Sequence, residues 1–347
     1  MGKFTRSRAE NDEPLSAGRV EYLEQARQRA RNKRIRRTAV LLVLLTGIVL
    51  FATGLVGSSV AMAKDFIDMA RIALLPGAGW PQQTGVSEVT QVEALTGSFV
   101  ELGKEGCVVY SRSGKKLNSI QSGYARPALA AGKNRFVLYN RSGNELRVES
   151  RTQNLYTKQL ENSIFLCAMA AAVTAGGGQM MTNLYLVNLA SGDPVSLANQ
   201  SGVPQWLGWT SASTILAVYD SRAVLYNAGG GERAAYEFAG NTLKDISVDA
   251  AGNVALLLGS GQLHQAVLLD KSLNVQFSGT VSSANSIVRA GSLFYLLSDS
   301  GVECYNTSGE QQWSQTLAAK PQALLADTKE LLLFSGNTAQ ALEVPQK

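Results

Sequence analysis

The feature that most restricts the fold of this chain is a period. Seven apolar, strand-length phrases open successive units, near Thr90 (TQVEALT), Ala125 (ARPALAA), Ile164 (IFLCAMA), Pro204 (PQWLGWT), Leu243 (LKDISVD), Ala284 (ANSIVRA) and Pro321 (PQALLAD). The steps between them run from 35 to 41 residues, the length of a four-stranded propeller blade. The sixth unit shows the whole plan as ANSIVRA, LFYLLSD, VECYN and QQWSQT, with turns too short for a helix. Between strands a second phrase recurs, an apolar strand end followed by a polar turn with glycine: Tyr110 to Gly114, Val187 to Gly192, Tyr226 to Gly231 and Tyr305 to Gly309, with Leu269 to Leu273 as a degenerate copy. Asn, Asp and Gly accept the positive φ of tight hairpins. These periods predict an all-β, seven-bladed β-propeller over residues 86–347; a count of six to eight blades fits the same spacing. The last unit stops short of a fourth strand, and Val86 to Val89 is expected to supply it, because an open ring leaves unpaired strand edges. A β-sandwich does not account for spacing this regular.

Ahead of the repeats lies Thr38 to Ala63, 26 residues without a charge. As a helix, Ala39 to Val60 spans roughly 33 Å, enough for a hydrocarbon core of about 30 Å. Residues 1–37 hold 11 Lys and Arg against five acids, and seven of those bases stand between Arg27 and Arg37. By the positive-inside tendency this predicts a basic cytoplasmic tail (1–37), a single-pass transmembrane helix in the cell membrane (38–63), a juxtamembrane helix and linker (64–85), and an extracytoplasmic propeller (86–347). Ala61-Met62-Ala63 also offers a cleavage site, but a secretory signal has a shorter apolar core and a shorter basic region. Gly47, Gly54 and Ser58 share a helix face, which allows a homodimer through the membrane helix.

Dividing the charge this way removes one class of partner. The 347-residue chain carries +5 overall, yet beyond residue 37 there are 21 bases and 22 acids. A nearly neutral propeller lacks the basic patch of a nucleic-acid binder. Cys107, Cys167 and Cys304 sit in apolar strand phrases and read as buried small hydrophobes. No pair has metal-ligand spacing. His264 is the sole histidine, and no nucleophile motif accompanies it. Gly176-Gly177-Gly178 lacks the Lys and Ser/Thr of a phosphate loop. Trp313 reads as a packing residue between blades. No catalytic, metal or cofactor-binding residue is expected, and no cofactor.

The second unit supplies the densest polar constellation. Arg147, Glu149 and Arg151 stand two apart on a strand, with Tyr124, Arg126 and Arg141 nearby in sequence, and such a set can bind an acidic ligand or a partner. The alternative is a cross-strand charge ladder. Trp206 and Trp209 flank Leu207-Gly208 at the head of the fourth unit, where one indole can face the channel mouth or both can pack in the core. The same second unit carries a resemblance, in Gly123-Tyr124-x-x-Pro127, Leu138-Tyr139-Asn140-Arg141, Arg147-Val148-Glu149-Ser150-Arg151 and Leu155-Tyr156. It resembles an uncharacterised family of bacterial, mostly Gram-positive, single-pass membrane proteins with an extracytoplasmic quinoprotein- or WD40-like propeller. That resemblance implies the fold and topology above and carries no activity or catalytic residue with it.

Together these features predict a membrane-anchored, non-enzymatic binding or assembly scaffold for a protein, peptide or envelope glycan. Two alternatives stay open: a propeller hydrolase or lyase acting on an envelope polymer, and a signal-sensing ectodomain.

Overall fold

The computed structural model describes residues 76–160, 163–168, 171–176, 181–187, 194–202, 204–260, 263–282, 284–326 and 330–342, and residues 67, 70, 72 and 74 before them. They form seven four-stranded antiparallel sheets. We number these as blades in chain order, each named by its first strand: Gln91–Leu95 (blade 1), Pro127–Ala131 (blade 2), Ile164–Ala168 (blade 3), Pro204–Trp209 (blade 4), Thr242–Val248 (blade 5), Ser286–Ala290 (blade 6) and Ala323–Ala326 (blade 7). First strands of neighbouring blades touch one another, so they form the inner ring. The fold is an all-β propeller.

Its core is divided among the junctions between blades. Each of the seven apolar clusters draws its buried residues from two adjacent blades and none from a third. The second strand of blade 5, Val254–Ser260, shows how one strand serves two junctions. Val254, Leu256 and Leu258 pack toward blade 4 with Leu216 and Val218, whereas Ala255 and Leu257 pack toward blade 6 with Ile287 and Phe294. Successive side chains point to opposite faces, and both faces are covered. Middle strands such as TILAVY and LLLF are therefore continuously apolar instead of alternating. At about 1.5–3 kcal/mol for each buried aliphatic or aromatic side chain, these junctions are the main source of stability.

Among the described residues the recurring turn phrase forms as its chemistry demands; the turn of the Val187 to Gly192 copy lies outside them. Asn227 Oδ1 accepts the amides of Gly229 and Gly231 at 2.8 and 3.0 Å, and Asn306 Oδ1 accepts those of Ser308 and Glu310 at 3.0 and 2.9 Å. The degenerate copy uses Asp270 in the same way, toward Ser272 and Asn274 at 2.8 and 2.9 Å. There Leu273 takes the positive φ of 64° that glycine holds elsewhere, and its side chain is buried in the junction of blades 4 and 5.

Ring closure differs from the expectation. The strand that completes blade 7 is Gln82–Gln83, with Gln82 opposite Ala339 and Gln83 opposite Thr338; Val86 to Val89 form no strand. Val86 instead fills the space above Gly103, where a Cβ would come within 2.5 Å of its Cγ1, and it is buried between blades 7 and 1. Trp80 anchors the same junction, donating from Nε1 to the Arg112 carbonyl at 2.8 Å and packing on Phe99 and Tyr110.

The expected lead-in to the propeller is corrected. The membrane segment at 38–63 and the basic tail at 1–37 lie outside the described residues, and among the described residues no helix is long and apolar enough to cross a membrane. Within 64–75, Ile67, Ala70, Ile72 and Leu74 are helical, with Ile67 and Leu74 exposed. An uncharged run of spanning length meets the length requirement for crossing but does not by itself specify a membrane helix. The bilayer as a partner, the single-pass topology with a cytoplasmic N-terminus, and the homodimer through the membrane helix therefore have no structural support and are set aside.

Candidate binding site

The polar constellation of the second unit lies on blade 2, and most of it is tied up in bonds within that blade. Arg147 and Glu149 share one face of the strand Glu145–Ser150, the face turned toward blade 1, where their partners across the sheet, Leu138 and Phe136, pack with blade 1 residues. Glu149 is buried, and a single carboxylate oxygen accepts from Arg147 Nε at 3.0 Å, Arg147 Nη2 at 2.9 Å and Asn154 Nδ2 at 2.8 Å. Arg151 lies just past the strand end, also buried, and donates from Nη1 to the Thr96 carbonyl of blade 1 at 2.9 Å. Tyr124 donates its hydroxyl to Glu145 Oε1 at 2.6 Å. Burial first, and then that bond to a carboxylate, push the phenol above its ordinary value. Arg126 and Arg141 are exposed. Their backbones join, Arg141 N–H to Arg126 carbonyl at 2.9 Å, and the Arg126 amide donates to Asn140 Oδ1 at 3.0 Å. The six residues thus separate into one inter-blade stitch, Arg151, three that bond within blade 2, Tyr124, Arg147 and Glu149, and two exposed arginines.

The two tryptophans turn to opposite sides of blade 4. Trp209 packs toward blade 3 and Trp206 toward blade 5, and both are half-buried. Trp313 packs against Tyr295 with ring centroids 6.0 Å apart. His264 Nδ1 accepts the Ala284 amide at 3.1 Å. Among the described residues no group of three or more His, Cys, Asp and Glu gathers as a metal site, and Cys107, Cys167 and Cys304 are free and buried.

The inner ring carries a feature that the sequence pattern does not announce. In blades 2 and 6 the inner strand has side chains from the preceding blade on its backbone edge. Gln91 brackets Leu129, accepting its amide at 3.1 Å and donating to its carbonyl at 3.0 Å. Asp245 accepts the Ile287 amide at 2.9 Å and Ser247 the Arg289 amide at 3.1 Å. Blades 3, 4 and 5 add something else. In each, the pairing between first and second strands skips one residue near the strand head: Phe165 and Gln205, second in their strands, and Lys244, third in its own, have no partner opposite them. First strands of blades 1, 2, 6 and 7 run without a skip. A bulge inserts an unpaired residue and re-aims its side chain. All three are exposed, Phe165 to 40% despite its aromatic ring.

Because every blade begins again from its inner strand, the heads of these strands lie at one end of the ring. Arg126, immediately before the first strand of blade 2, joins them there. Four consecutive blades therefore present Arg126, Phe165, Gln205 and Lys244, two cations, an amide and an aromatic ring. The neighbouring acid, Asp245, is tied to the Ser286 hydroxyl and the Ile287 amide, and burial raises its carboxyl pKa above the ordinary value.

No known family matches the chain, and no curated protein matches it. Solved structures do match. U3-55K aligns at a TM-score of 0.56 and 12% identity, over 78% of this chain and 100% of its own. The RRP9 WD40 repeats align at 0.54 and 12%, over 75% and 92%, and Saccharomyces cerevisiae Sqt1 at 0.50 and 10%, over 78% and 100%. The fold is that of a WD40-type propeller. At such identity the likeness concerns fold alone. The resemblance to a bacterial membrane family is corrected accordingly: its phrases in blade 2 are strand, turn and junction residues, and no family match supports a common origin.

Proposed function

We propose that this protein is a non-enzymatic binding module whose propeller receives an extended peptide segment bearing a carboxylate beside an apolar residue, at the inner-strand heads of blades 2 to 5. The observation that carries this reading is the set of strand-head bulges in three consecutive blades. A bulge costs ladder hydrogen bonds, and here each one places an exposed side chain at the same end of the ring. Arg126 and Lys244 supply charge for a carboxylate, Gln205 supplies both a donor and an acceptor, and Phe165 supplies an apolar face. The propeller as a whole is near neutral, so selection rests on these local groups and not on a long-range field.

The test is an array of acidic, neutral and basic peptides, each with and without an apolar neighbour, probed with the full chain. Acidic peptides with the apolar neighbour are expected to bind. Lys244→Glu and Phe165→Ala are each expected to weaken binding by tenfold or more, about 1.4 kcal/mol, while the outer-strand control Arg233→Glu leaves it unchanged. Equal capture of basic peptides, or binding indifferent to both mouth variants, would overturn the proposal.

A further inference from the structure

Blade 7 alone is assembled from both ends of the propeller, and its N-terminal strand, Gln82–Gln83, is two residues long. A join this short depends on the contacts of the next residue. That residue, Thr84, is buried. Its amide donates to the Asn337 carbonyl at 2.9 Å. Its hydroxyl lies 2.9 Å from Glu101 Oε1 and 3.3 Å from that same Asn337 carbonyl, and the Tyr110 hydroxyl donates to the Thr84 carbonyl at 3.2 Å. Glu101, in the second strand of blade 1 (Ser98–Leu102), is completely buried, and its Oε2 has no hydrogen-bond partner.

A threonine hydroxyl has one proton to donate. With Glu101 ionised, both carboxylate oxygens only accept. The hydroxyl proton then goes to Glu101, and the contact between Thr84 Oγ1 and Asn337 carries no hydrogen. With Glu101 protonated on Oε1, the carboxyl donates to Thr84 Oγ1, and the threonine proton is released to the Asn337 carbonyl. A continuous chain then runs from Glu101 through Thr84 to Asn337, joining blade 1 to blade 7 with no charge buried.

We propose that Glu101, Thr84 and Asn337 form a proton-operated latch on the ring closure, firm when Glu101 is neutral and loosened when it is ionised. Among the described residues no cation offsets an ionised Glu101. The four strands of blade 7 (QQ, ALLA, LLLFS and TAQA) hold no titratable residue. The residues opposite Glu101 in its own sheet are Val92 and Val108. Tyr110, on the third strand, is raised above its ordinary value by burial and by Glu101 itself. Glu93, on the first strand, is bonded to Gln91. Glu88 and Lys104 pair with each other at the surface, Glu105 beside them is exposed, and Arg112 lies beyond the far end of the third strand. Burial accordingly pushes the Glu101 carboxyl from 4.5 up to about 7, with the Thr84 bond opposing. A carboxyl raised in the closed state favours closure at low pH. Closure weakens as pH rises from about 4.5 through about 7 and is level above that.

Amide exchange of the full chain, corrected for intrinsic chemistry, tests the latch. Between pH 6 and 8 the opening that exposes the Thr84 amide is expected to rise about tenfold, while that of Leu256 in the blade 4–5 junction rises less. Glu101→Gln, which accepts from Thr84 and cannot ionise, is expected to abolish the rise at Thr84. Should that variant fail to fold, carboxyl carbon NMR of the wild-type chain gives the second readout: one Glu titrating near pH 7, with the Thr84 amide shift following it. A Thr84 rise that persists in Glu101→Gln, or a wild-type chain in which no Glu titrates above the ordinary range, would overturn the latch.

Discussion

The indole of Trp206 lies over Gly208, two residues on in the same strand, so closely that a Cβ on that glycine would meet its Cη2 at 2.1 Å. The two positions share the face of blade 4 turned toward blade 5, where Trp206 packs beside the junction cluster. Glycine is there for space, since its φ is not in the left-handed region.

Gly208→Ala therefore has to move the ring. We expect a loss of about 1–3 kcal/mol, the usual cost of overpacking a filled site. The measurement is urea unfolding with tryptophan emission, which should shift to the red in the folded variant. An unshifted spectrum at unchanged stability would mean that the indole has room to retreat.

The Arg147–Glu149 pair makes a second prediction. Glu149→Ala removes the acceptor shared by Arg147 and Asn154 at a buried position. Arg147 keeps a quarter of its side chain exposed, which tempers the penalty, so about 2–3 kcal/mol is expected, below the range for a fully buried pair. Replacing both partners, Arg147→Met with Glu149→Leu, is expected to cost less than Glu149→Ala alone, because no uncompensated group stays behind. A double-mutant cycle in denaturant measures both quantities, and additive single effects would show that the pair is not coupled.

Arg289 is the buried counterpart at the junction of blades 5 and 6. Its guanidinium donates from Nη1 to the Val254 and Leu269 carbonyls, both at 2.9 Å, and from Nη2 to Gln276, with Asp249 3.7 Å from Nε. One planar fork thereby ties together three strand ends of blade 5. Lysine has the charge without the fork. Arg289→Lys is expected to lower stability by about 1–3 kcal/mol, and amide exchange should localise the loosening to residues 249–276.

The three cysteines should be silent to thiol reagents in the folded protein. All are buried, and burial pushes Cys107 up to about 12 and Cys304 up to about 11, with Cys167 raised in the same direction. Little thiolate exists at neutral pH, and access is closed. Labelling with a chromogenic disulfide reagent at pH 8 should give no fast phase, and three equivalents should react in guanidinium. A fast native equivalent would place one thiol outside the core.

Several features are legible in the residues themselves. The period from Thr90 to Pro321 predicts seven sheets of four strands, because each blade must restart the same strand pattern to bury its two faces. The hairpin phrase locates its turns because Asn, Asp and Gly carry their conformational preference with them, and even the Leu269 to Leu273 copy closes through its aspartate. The buried cysteines agree with the apolar text around them.

Other features need three dimensions. Arg147 and Glu149 are visible as a same-face pair, but whether that face meets water or blade 1 depends on which blade packs against it. The bulges at Phe165, Gln205 and Lys244 leave no residue-type signal, since a skipped pairing belongs to two strands at once. Ring closure by Gln82–Gln83 in place of Val86 to Val89 is decided by the cavity above Gly103 that Val86 fills. The apolar run at 38–63 shows the same limit from the other side, since length and lack of charge are local properties and a structural role is not. Sequence by itself determined the repeat, the turns and the apolar strands, because those rest on each residue's own preferences. Tertiary structure alone decided which polar groups became stitches and which stayed exposed, because burial is a property of neighbours.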